Sequence, residues 1–119
     1  MDFSDKTLHT YIDTPEGLKA FYERNVGISW MGFDTEFVGE KTYYPILCLI
    51  QVATEHGNYL IDTVVLENID LFLEMVKDPQ IIKITHAGEN DYRLLFQKYD
   101  ILPKNVFDTQ IAAGFIGYN

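Results

Sequence analysis

Two carboxylates stand where an apolar segment of the chain ends. In "WMGFDTEFVGE", Asp34 and Glu36 are separated by one residue. If the segment is a strand, both side chains point to the same face, with Cβ atoms roughly 6–7 Å apart. Two like charges at that separation repel each other, and a hard cation such as Mg²⁺ would compensate them. The alternative is a strand end whose acids both face water. The apolar residues Phe33 and Phe37 on the other face make that alternative less favourable than for an arbitrary pair of acids.

A third acid follows a later strand. In "THAGENDY", Asp91 falls in the first turns of a predicted helix, with Glu89 just before it. Sites in open α/β sheets collect at the carboxyl ends of parallel strands, which makes Asp91 a candidate ligand. Taken alone, Asp91 is better explained as an acid that stabilises the helix N-terminus. His86 alone is more often a core residue than a base. Asp108 is predicted to cap the last helix, with a functional role as the less favoured alternative.

The composition is that of one small globular domain. The chain has 119 residues, of which 47% are hydrophobic and 14% aromatic. Its net charge of −9 excludes a protein that holds nucleic acid by a basic surface. If the chain meets a phosphodiester, a divalent cation is the obvious source of positive charge.

The sequence favours a cytoplasmic protein. No apolar stretch approaches the roughly 20 residues that span a bilayer, and "MDFSDKTLHT" lacks the plan of a signal peptide. A single cysteine, Cys48, excludes a disulfide within the chain and suits a reducing compartment. Its place in "PILCLIQVA" predicts a core residue rather than a nucleophile.

The order of strand and helix patterns predicts an α/β fold. After a short strand in "LHTYI", Thr14 caps a helix with Pro15 in its first turn. Three strands follow as an antiparallel meander, in "GISWMGFDTEF", "YYPILCLIQVA" and "YLIDT". The second of them is nearly continuously apolar, which predicts burial on both faces.

Helices and strands then alternate to the end of the chain. The successive segments are "VVLENIDLFLEMV", "QIIKIT", "HAGENDYRLLFQKY", "ILPKNVFD" with one short strand, and "DTQIAAGFIGY". This alternation predicts parallel strands with right-handed crossovers, hence a mixed sheet with helices on both faces. Residues 1–119 read as a single domain that stops within its last helix, so we expect the first part of a longer domain.

Four segments, taken together, resemble a known family. "FDTEF", "YYPILCLIQVA", "ITHAGENDYRLL" and "FDTQIAA" stand in the order and spacing of the ribonuclease D-like branch of the DEDD 3′→5′ exonucleases. That branch includes ribonuclease D, the proofreading domain of family A DNA polymerases and the Werner-type exonucleases. The resemblance covers residues 28–115. It implies a ribonuclease H-like fold and the release of mononucleotides from the 3′ end of RNA or DNA, with RNA weakly favoured.

The resemblance also implies a two-ion site for Mg²⁺ or Mn²⁺. In the family pattern Asp34 would bridge the two ions and Glu36 would hold the ion that activates the attacking water. Asp91 matches the second motif and would support the other ion, through water. Such a pair of ions lowers the pKa of water and stabilises the phosphate transition state.

Residues beside these acids are candidate substrate contacts: Thr35, Phe37, His86 and Asn90. Thr35 and Phe37 would line the path of the terminal nucleotide. Phe37 could stack on a base, since stacking tolerates any sequence, and a core aromatic is an equal alternative. In "EKTYY", Lys41 beside Tyr43 and Tyr44 is a plausible strand contact, against the alternative of an ordinary turn.

One family motif is not matched. The family carries a tyrosine or histidine four residues before a final metal-binding aspartate on a later helix, and "GFIGYN" ends before that place. We therefore expect weak metal binding, slow or no cleavage by these 119 residues, and possible self-association through an exposed flank. The alternative is a non-catalytic nucleic-acid or protein interaction module on the same fold. The three intact acids, Asp34, Glu36 and Asp91, favour the enzyme.

Overall fold

Ten helices and strands follow one another in the predicted order. The computed structural model describes residues 9–38, 46–115 and 117. Its elements are β1 (His9–Ile12), α1 (Pro15–Arg24), β2 (Trp30–Val38), β3 (Ile46–Thr54), β4 (Gly57–Asp62), α2 (Asp70–Lys77), β5 (Ile82–Thr85), α3 (Glu89–Tyr99), β6 (Val106–Asp108) and α4 (Thr109–Phe115). Each predicted element is present, although α2 begins later than its apolar pattern does.

The six strands form one mixed sheet in the order β1-β4-β3-β2-β5-β6. Strands β2, β3 and β4 are the antiparallel meander. Strand β5 pairs with β2 and β6 in parallel, and β1 lies parallel to β4 at the far edge. The predicted mixed α/β sheet, with its antiparallel meander and its parallel strands, is confirmed. The meander and the parallel strands meet at β2, which is the strand that carries "FDTEF".

Helix α1 shows how the local sequence sets the frame. Thr14 is its N-cap, and the Thr14 hydroxyl accepts the Gly17 N–H at 3.0 Å, with Pro15 at the first helical position. At the other end Asn25 is buried and donates to the Phe21 carbonyl at 2.8 Å. In the described part of the chain, no helix is long and apolar enough to cross a membrane.

The hydrophobic core lies on one face of the sheet. Apolar side chains of α1, α2 and α3 join those of the strands in one buried cluster, among them Phe21, Phe72 and Leu95. The opposite face carries a cavity of about 340 Å³. Two of the residues along that cavity are Gln51, which is exposed, and Ile84, which is half-buried.

The prediction that β3 is buried on both faces is wrong. Leu47, Ile50 and Val52 lie in the core, whereas Leu49 is half-exposed. Cys48 is also half-exposed, so the prediction of a core cysteine is wrong as well. The pairing of β2 with β3 slips by one residue at this point, because Glu36 faces Leu49 and Phe37 faces Leu47. Cys48 is therefore the extra residue of a β-bulge and is left out of the regular alternation.

Candidate active site

Strand β2 extends beyond its parallel neighbour, and the two acids lie on the extension. The pairing of β2 with β5 runs from Trp30 to Gly32 only. Asp34 and Glu36 come after it, at the carboxyl end of the parallel pair, and both side chains are exposed. Sites in α/β sheets form at this end of the strands. The alternation of β2 places the two carboxylates on one face, as predicted from their spacing.

The residue between the two acids holds the third. The Thr35 N–H donates to Asp91 Oδ1 at 3.2 Å, and the Thr35 hydroxyl donates to the same oxygen. Asp91 lies in the first turn of α3 and is only 8% exposed. Strand β2 is no longer paired with β5 at Thr35, so the Thr35 N–H can donate to a side chain of α3. The structure thus brings Asp91 to the strand position between Asp34 and Glu36.

This contact corrects the prediction for Thr35. We expected Thr35 to line the path of a terminal nucleotide, but its side chain is buried and bonded to Asp91. The reason is the alternation of the strand, which turns Thr35 away from the face that carries Asp34 and Glu36. Its role in this structure is to fix Asp91.

The surroundings of the Asp91 carboxyl disfavour its charged form. Burial raises the pKa of the Asp91 carboxyl, and the negative charges of Asp34 and Glu36 raise it further. The two hydrogen bonds from Thr35 act in the opposite direction, because they stabilise the carboxylate. A cation at this place would relieve the cost of burying the charge.

The donor set fits a hard divalent cation. Asp34 and Glu36 offer exposed carboxylate oxygens, and both Thr35 donors bind Oδ1 of Asp91, which leaves its Oδ2 for a ligand. Over residues 9–38, 46–115 and 117, no three histidine, cysteine, aspartate or glutamate side chains stand together as a finished metal cluster. The exposed side chains of Asp34 and Glu36 would have to turn toward Asp91 to complete one.

We expect Thr35→Val to lower the free energy of unfolding, although valine and threonine side chains have nearly the same shape. The variant loses the hydroxyl that donates to the buried Asp91 carboxylate, while the backbone N–H bond remains. Loss of one hydrogen bond to a buried charged group costs about 1–3 kcal/mol. Urea unfolding at pH 7 measures the change. Thr10→Val, at an exposed position of β1, is the control and should cost much less. Equal stability of Thr35→Val and the parent chain would contradict the assigned hydrogen bond.

The other predicted substrate contacts lie at the surface. Phe37 is 45% exposed after the bulge, so the core alternative for this aromatic does not hold. His86 is exposed as well, contrary to the expectation of a core histidine, and its Nδ1 lies 2.7 Å from Thr109 Oγ1. Asn90 is exposed in the first turn of α3. His86 and Asp34 both line the 340 Å³ cavity, which places them on one side of the sheet.

Three residues of the sequence-based interpretation cannot be placed. Lys41, Tyr43 and Tyr44 of "EKTYY" lie outside the described residues. Their suggested contact with a nucleic-acid strand stays a prediction.

Asp108 has a second role that the local sequence did not reveal. It caps α4 as predicted, since its Oδ1 accepts the N–H groups of Gln110 and Ile111 at 2.9 and 3.4 Å. The same carboxylate also binds the N–H groups of Ala87 and Gly88, some 20 residues earlier in the chain. A cap can be recognised from its neighbours, but a contact of this range depends on the parallel pairing of β5 with β6.

Comparison with known proteins identifies the family. A family model described as 3′-5′ exonuclease matches residues 9–119, which is nearly the whole chain. The chain belongs to the 3′-5′ exonuclease family. Within it the resemblance to ribonuclease D is confirmed by curated relatives. The ribonuclease D of Desulfotalea psychrophila is 39% identical over 107 residues, which make up 89% of this chain and 29% of that protein.

Solved structures of this exonuclease family have the same fold. Escherichia coli RNase D superposes with a TM-score of 0.88 at 33% identity, covering 93% of this chain and 30% of that one. The catalytic core of RRP6 from Trypanosoma brucei has a TM-score of 0.88 over the whole chain and 33% of its own length, and at 23% identity it shows the fold alone. The six-stranded mixed sheet is thus the ribonuclease H-like sheet of the RNase D exonucleases. The chain spans about three tenths of the length of these proteins.

Proposed function

We propose that this chain carries the metal-binding half of a 3′→5′ exonuclease site that removes nucleotides from the 3′ end of RNA. One observation supports the proposal most strongly. Thr35 holds the buried carboxylate of Asp91 at the point of β2 where Asp34 and Glu36 are exposed on either side. RNA is preferred as the substrate because the similar Escherichia coli protein is an exoribonuclease involved in structured RNA processing.

The cofactor proposed for this site is Mg²⁺ or Mn²⁺. Asp34, Glu36 and Asp91 would hold it, and their oxygen donors suit either ion. When bound, such an ion lowers the pKa of a water molecule and stabilises the charge that develops on the phosphate.

The side chains of this protein would position the metal ion and the substrate. Asp91 is held by two donors of Thr35 before any ion arrives, so part of the site is organised in advance. Phe37 follows Thr35 by two residues along β2, and its exposed ring could stack on the terminal base. His86 lines the same cavity as Asp34, and Asn90 is exposed in the first turn of α3 beside Asp91, so either polar side chain could bind a phosphate or a sugar hydroxyl.

Charge distinguishes this function from a plain binding module. A chain of net charge −9 repels the phosphate backbone unless cations stand between them. A module that only binds nucleic acid would gain nothing from two exposed carboxylates on either side of the strand residue that binds a third. We therefore expect the affinity for RNA to depend on the divalent ion.

The test compares Asp34→Asn with Glu67→Gln, a loss of one exposed carboxylate far along the sequence from the site. We expect Mn²⁺ to raise the melting temperature of the parent chain and of Glu67→Gln, and to raise that of Asp34→Asn much less. A 5′-labelled single-stranded RNA should be shortened from its 3′ end only by proteins that respond to Mn²⁺. Cleavage should be slow, because the family's third motif is not matched in these 119 residues.

Two results would overturn the proposal. The first is equal stabilisation of Asp34→Asn and the parent chain by Mn²⁺, which would remove the proposed metal site. The second is RNA binding that is the same in Mn²⁺ and in EDTA and unaffected by Asp34→Asn. That second result would support the non-catalytic interaction module instead.

A further inference from the structure

The chain turns sharply between β5 and α3, and a distant carboxylate holds the turn. The N–H of Ala87 donates to Asp108 Oδ1 at 3.0 Å, and the N–H of Gly88 donates to Asp108 Oδ2 at 2.8 Å. Asp108 is the last residue of β6 and pairs with Thr85, the last residue of β5. The parallel ladder therefore delivers the carboxylate to the turn that leads from β5 into α3.

The turn needs this support because its own residues provide little. Ala87 has φ +54°, a left-handed conformation that costs a non-glycine residue about 1–2 kcal/mol. Gly88 is the N-cap residue of α3 and has no side chain that could accept a hydrogen bond from the free N–H groups of the first turn. A Cβ at Gly88 would lie 2.7 Å from Thr85 Oγ1 and 2.9 Å from Tyr92 Cζ, so the backbone is closely packed there.

The geometry points to Asp108 as a positioning residue for the candidate active site. Gly88 is followed at once by Glu89, Asn90 and Asp91, the first turn of α3. By binding the two N–H groups before that turn, Asp108 sets where α3 begins and hence where Asp91 meets Thr35. The consequence for catalysis rests on the proposed function, whereas the effect on the Asp91–Thr35 contact does not.

The role requires a carboxylate, which separates it from helix capping. One oxygen, Oδ1, serves α4 by accepting from Gln110 and Ile111, and an asparagine does the same at an N-cap. The other oxygen, Oδ2, accepts from Gly88 and from no other donor among the described residues. In an asparagine that oxygen becomes an NH₂ group, which would face the Gly88 N–H as a second donor. Asparagine therefore preserves the cap of α4 and the bond from Ala87, which both use Oδ1, and breaks the bond from Gly88.

The charge of Asp108 is maintained by the same contacts. The hydrogen bond from Gly88 is the largest cause that lowers the pKa of the Asp108 carboxyl, and the bonds from Ala87, Gln110 and Ile111 lower it as well. Asp108 is thus a carboxylate throughout the neutral range, with both oxygens available as acceptors.

The experiment follows the backbone amide of Thr35 by NMR in the metal-free protein. This amide reports directly on Asp91, because it donates to Oδ1. We expect Asp108→Asn to move the Thr35 amide signal toward its position in Asp91→Ala and to speed hydrogen exchange at Gly88 about tenfold. Asp108→Ser, which keeps an N-cap acceptor, should do the same and serves if the asparagine variant folds poorly.

The matched control is Asp62→Asn at the end of β4. Asp62 Oδ1 also accepts two backbone N–H groups, of Val64 and Val65, at 2.9 and 3.1 Å. This variant should leave the Thr35 amide where it is. In Mn²⁺ titrations we expect Asp108→Asn to weaken binding by about tenfold, as is usual for residues that orient metal ligands, and Asp62→Asn to leave it unchanged.

The outcomes separate this inference from the proposed function. A Thr35 amide that stays in place in both Asp108 variants, while Gly88 loses protection, overturns the positioning role. A parent chain that binds no Mn²⁺ overturns the proposed function only, since the Thr35 amide still decides whether Asp108 positions Asp91.

Discussion

Asp91→Asn is expected to make the metal-free protein more stable and to remove its response to divalent metal. Burial raises the pKa of the Asp91 carboxyl. Between the ordinary pKa of 3.8 and this higher value the folded chain binds more protons than the unfolded chain, so stability falls as pH rises through that window. The loss is complete once the pH is well above the raised pKa. Asparagine has no charge to bury and keeps an acceptor for Thr35.

The gain in stability is expected to be about 1 kcal/mol, within the range of single stabilising substitutions. Urea unfolding in EDTA at pH 7 measures it, with Glu67→Gln as the control for loss of one exposed negative charge. The advantage of Asp91→Asn should shrink as the pH falls toward the ordinary carboxyl pKa of 3.8, because the raised pKa favours the protonated form of the parent carboxyl. A variant that is less stable than the parent at pH 7 would show that the Thr35 hydrogen bonds outweigh the cost of burial.

Added Mn²⁺ should reverse the order of the two proteins. A ligand that binds only the folded state at 100 times its Kd adds about 2.7 kcal/mol to the stability. The parent chain should gain this amount, and Asp91→Asn should lose most of it, because one of three carboxylates is gone. If both proteins gain equally from Mn²⁺, the ion binds elsewhere.

The fold could be predicted from the sequence because local signals and topology agree. Thr14 and Pro15 mark the start of α1, and the apolar strands separated by a turn account for the meander. The parallel part followed from alternation of strands and helices and from the crossover rule. Burial on each face was harder to predict. A run such as "ILCLIQVAT" is equally apolar on both sides, and the bulge that removes Cys48 from the core depends on pairing with β2.

The candidate site could be predicted in part. The period of two in a strand placed Asp34 and Glu36 on one face, and the strand-to-helix connection brought Asp91 near them. The sequence did not show that Thr35 is the residue that binds Asp91, because that contact depends on where the pairing of β2 with β5 stops. It also did not show that Asp108 reaches back to Ala87 and Gly88, since β6 is only three residues long and its register with β5 is set by tertiary structure.

Lys83 is another residue whose surroundings could not be predicted from the strand pattern. In "IIKIT" an alternating strand would bury Ile82 and Ile84 and expose the lysine. The structure has the opposite arrangement, with Lys83 fully buried and Ile82 41% exposed. The ammonium group finds its partner at the end of α2, where Nζ donates to the carbonyl of Asp78, the C-cap residue. Helix C-termini favour positive charge, which explains how the lysine is tolerated in the core.

The burial of Lys83 predicts an unusual dependence of stability on pH. Burial lowers the pKa of the Lys83 ammonium from 10.5 to about 8, and the charge of Asp78 opposes the shift only in part. Between these values the unfolded chain binds more protons than the folded chain, so the free energy of unfolding rises with pH. From pH 8 to pH 9.5 we expect a rise of roughly 1.5 kcal/mol.

Lys83→Met isolates this contribution. Methionine has a similar length, carries no charge and fills irregular core space, so the variant should be at least as stable as the parent at pH 7 and should lack the rise. Lys77→Met removes an exposed lysine, paired with Glu74 at 2.9 Å, and should keep the rise. The tyrosines Tyr92 and Tyr99 have raised pKa values that affect every variant alike above pH 10, so the comparison is made by urea unfolding at pH 7, 8, 9 and 9.5. Parallel curves for the parent and Lys83→Met would show that Lys83 keeps its proton when buried, and the lowered pKa assigned to it would then be wrong.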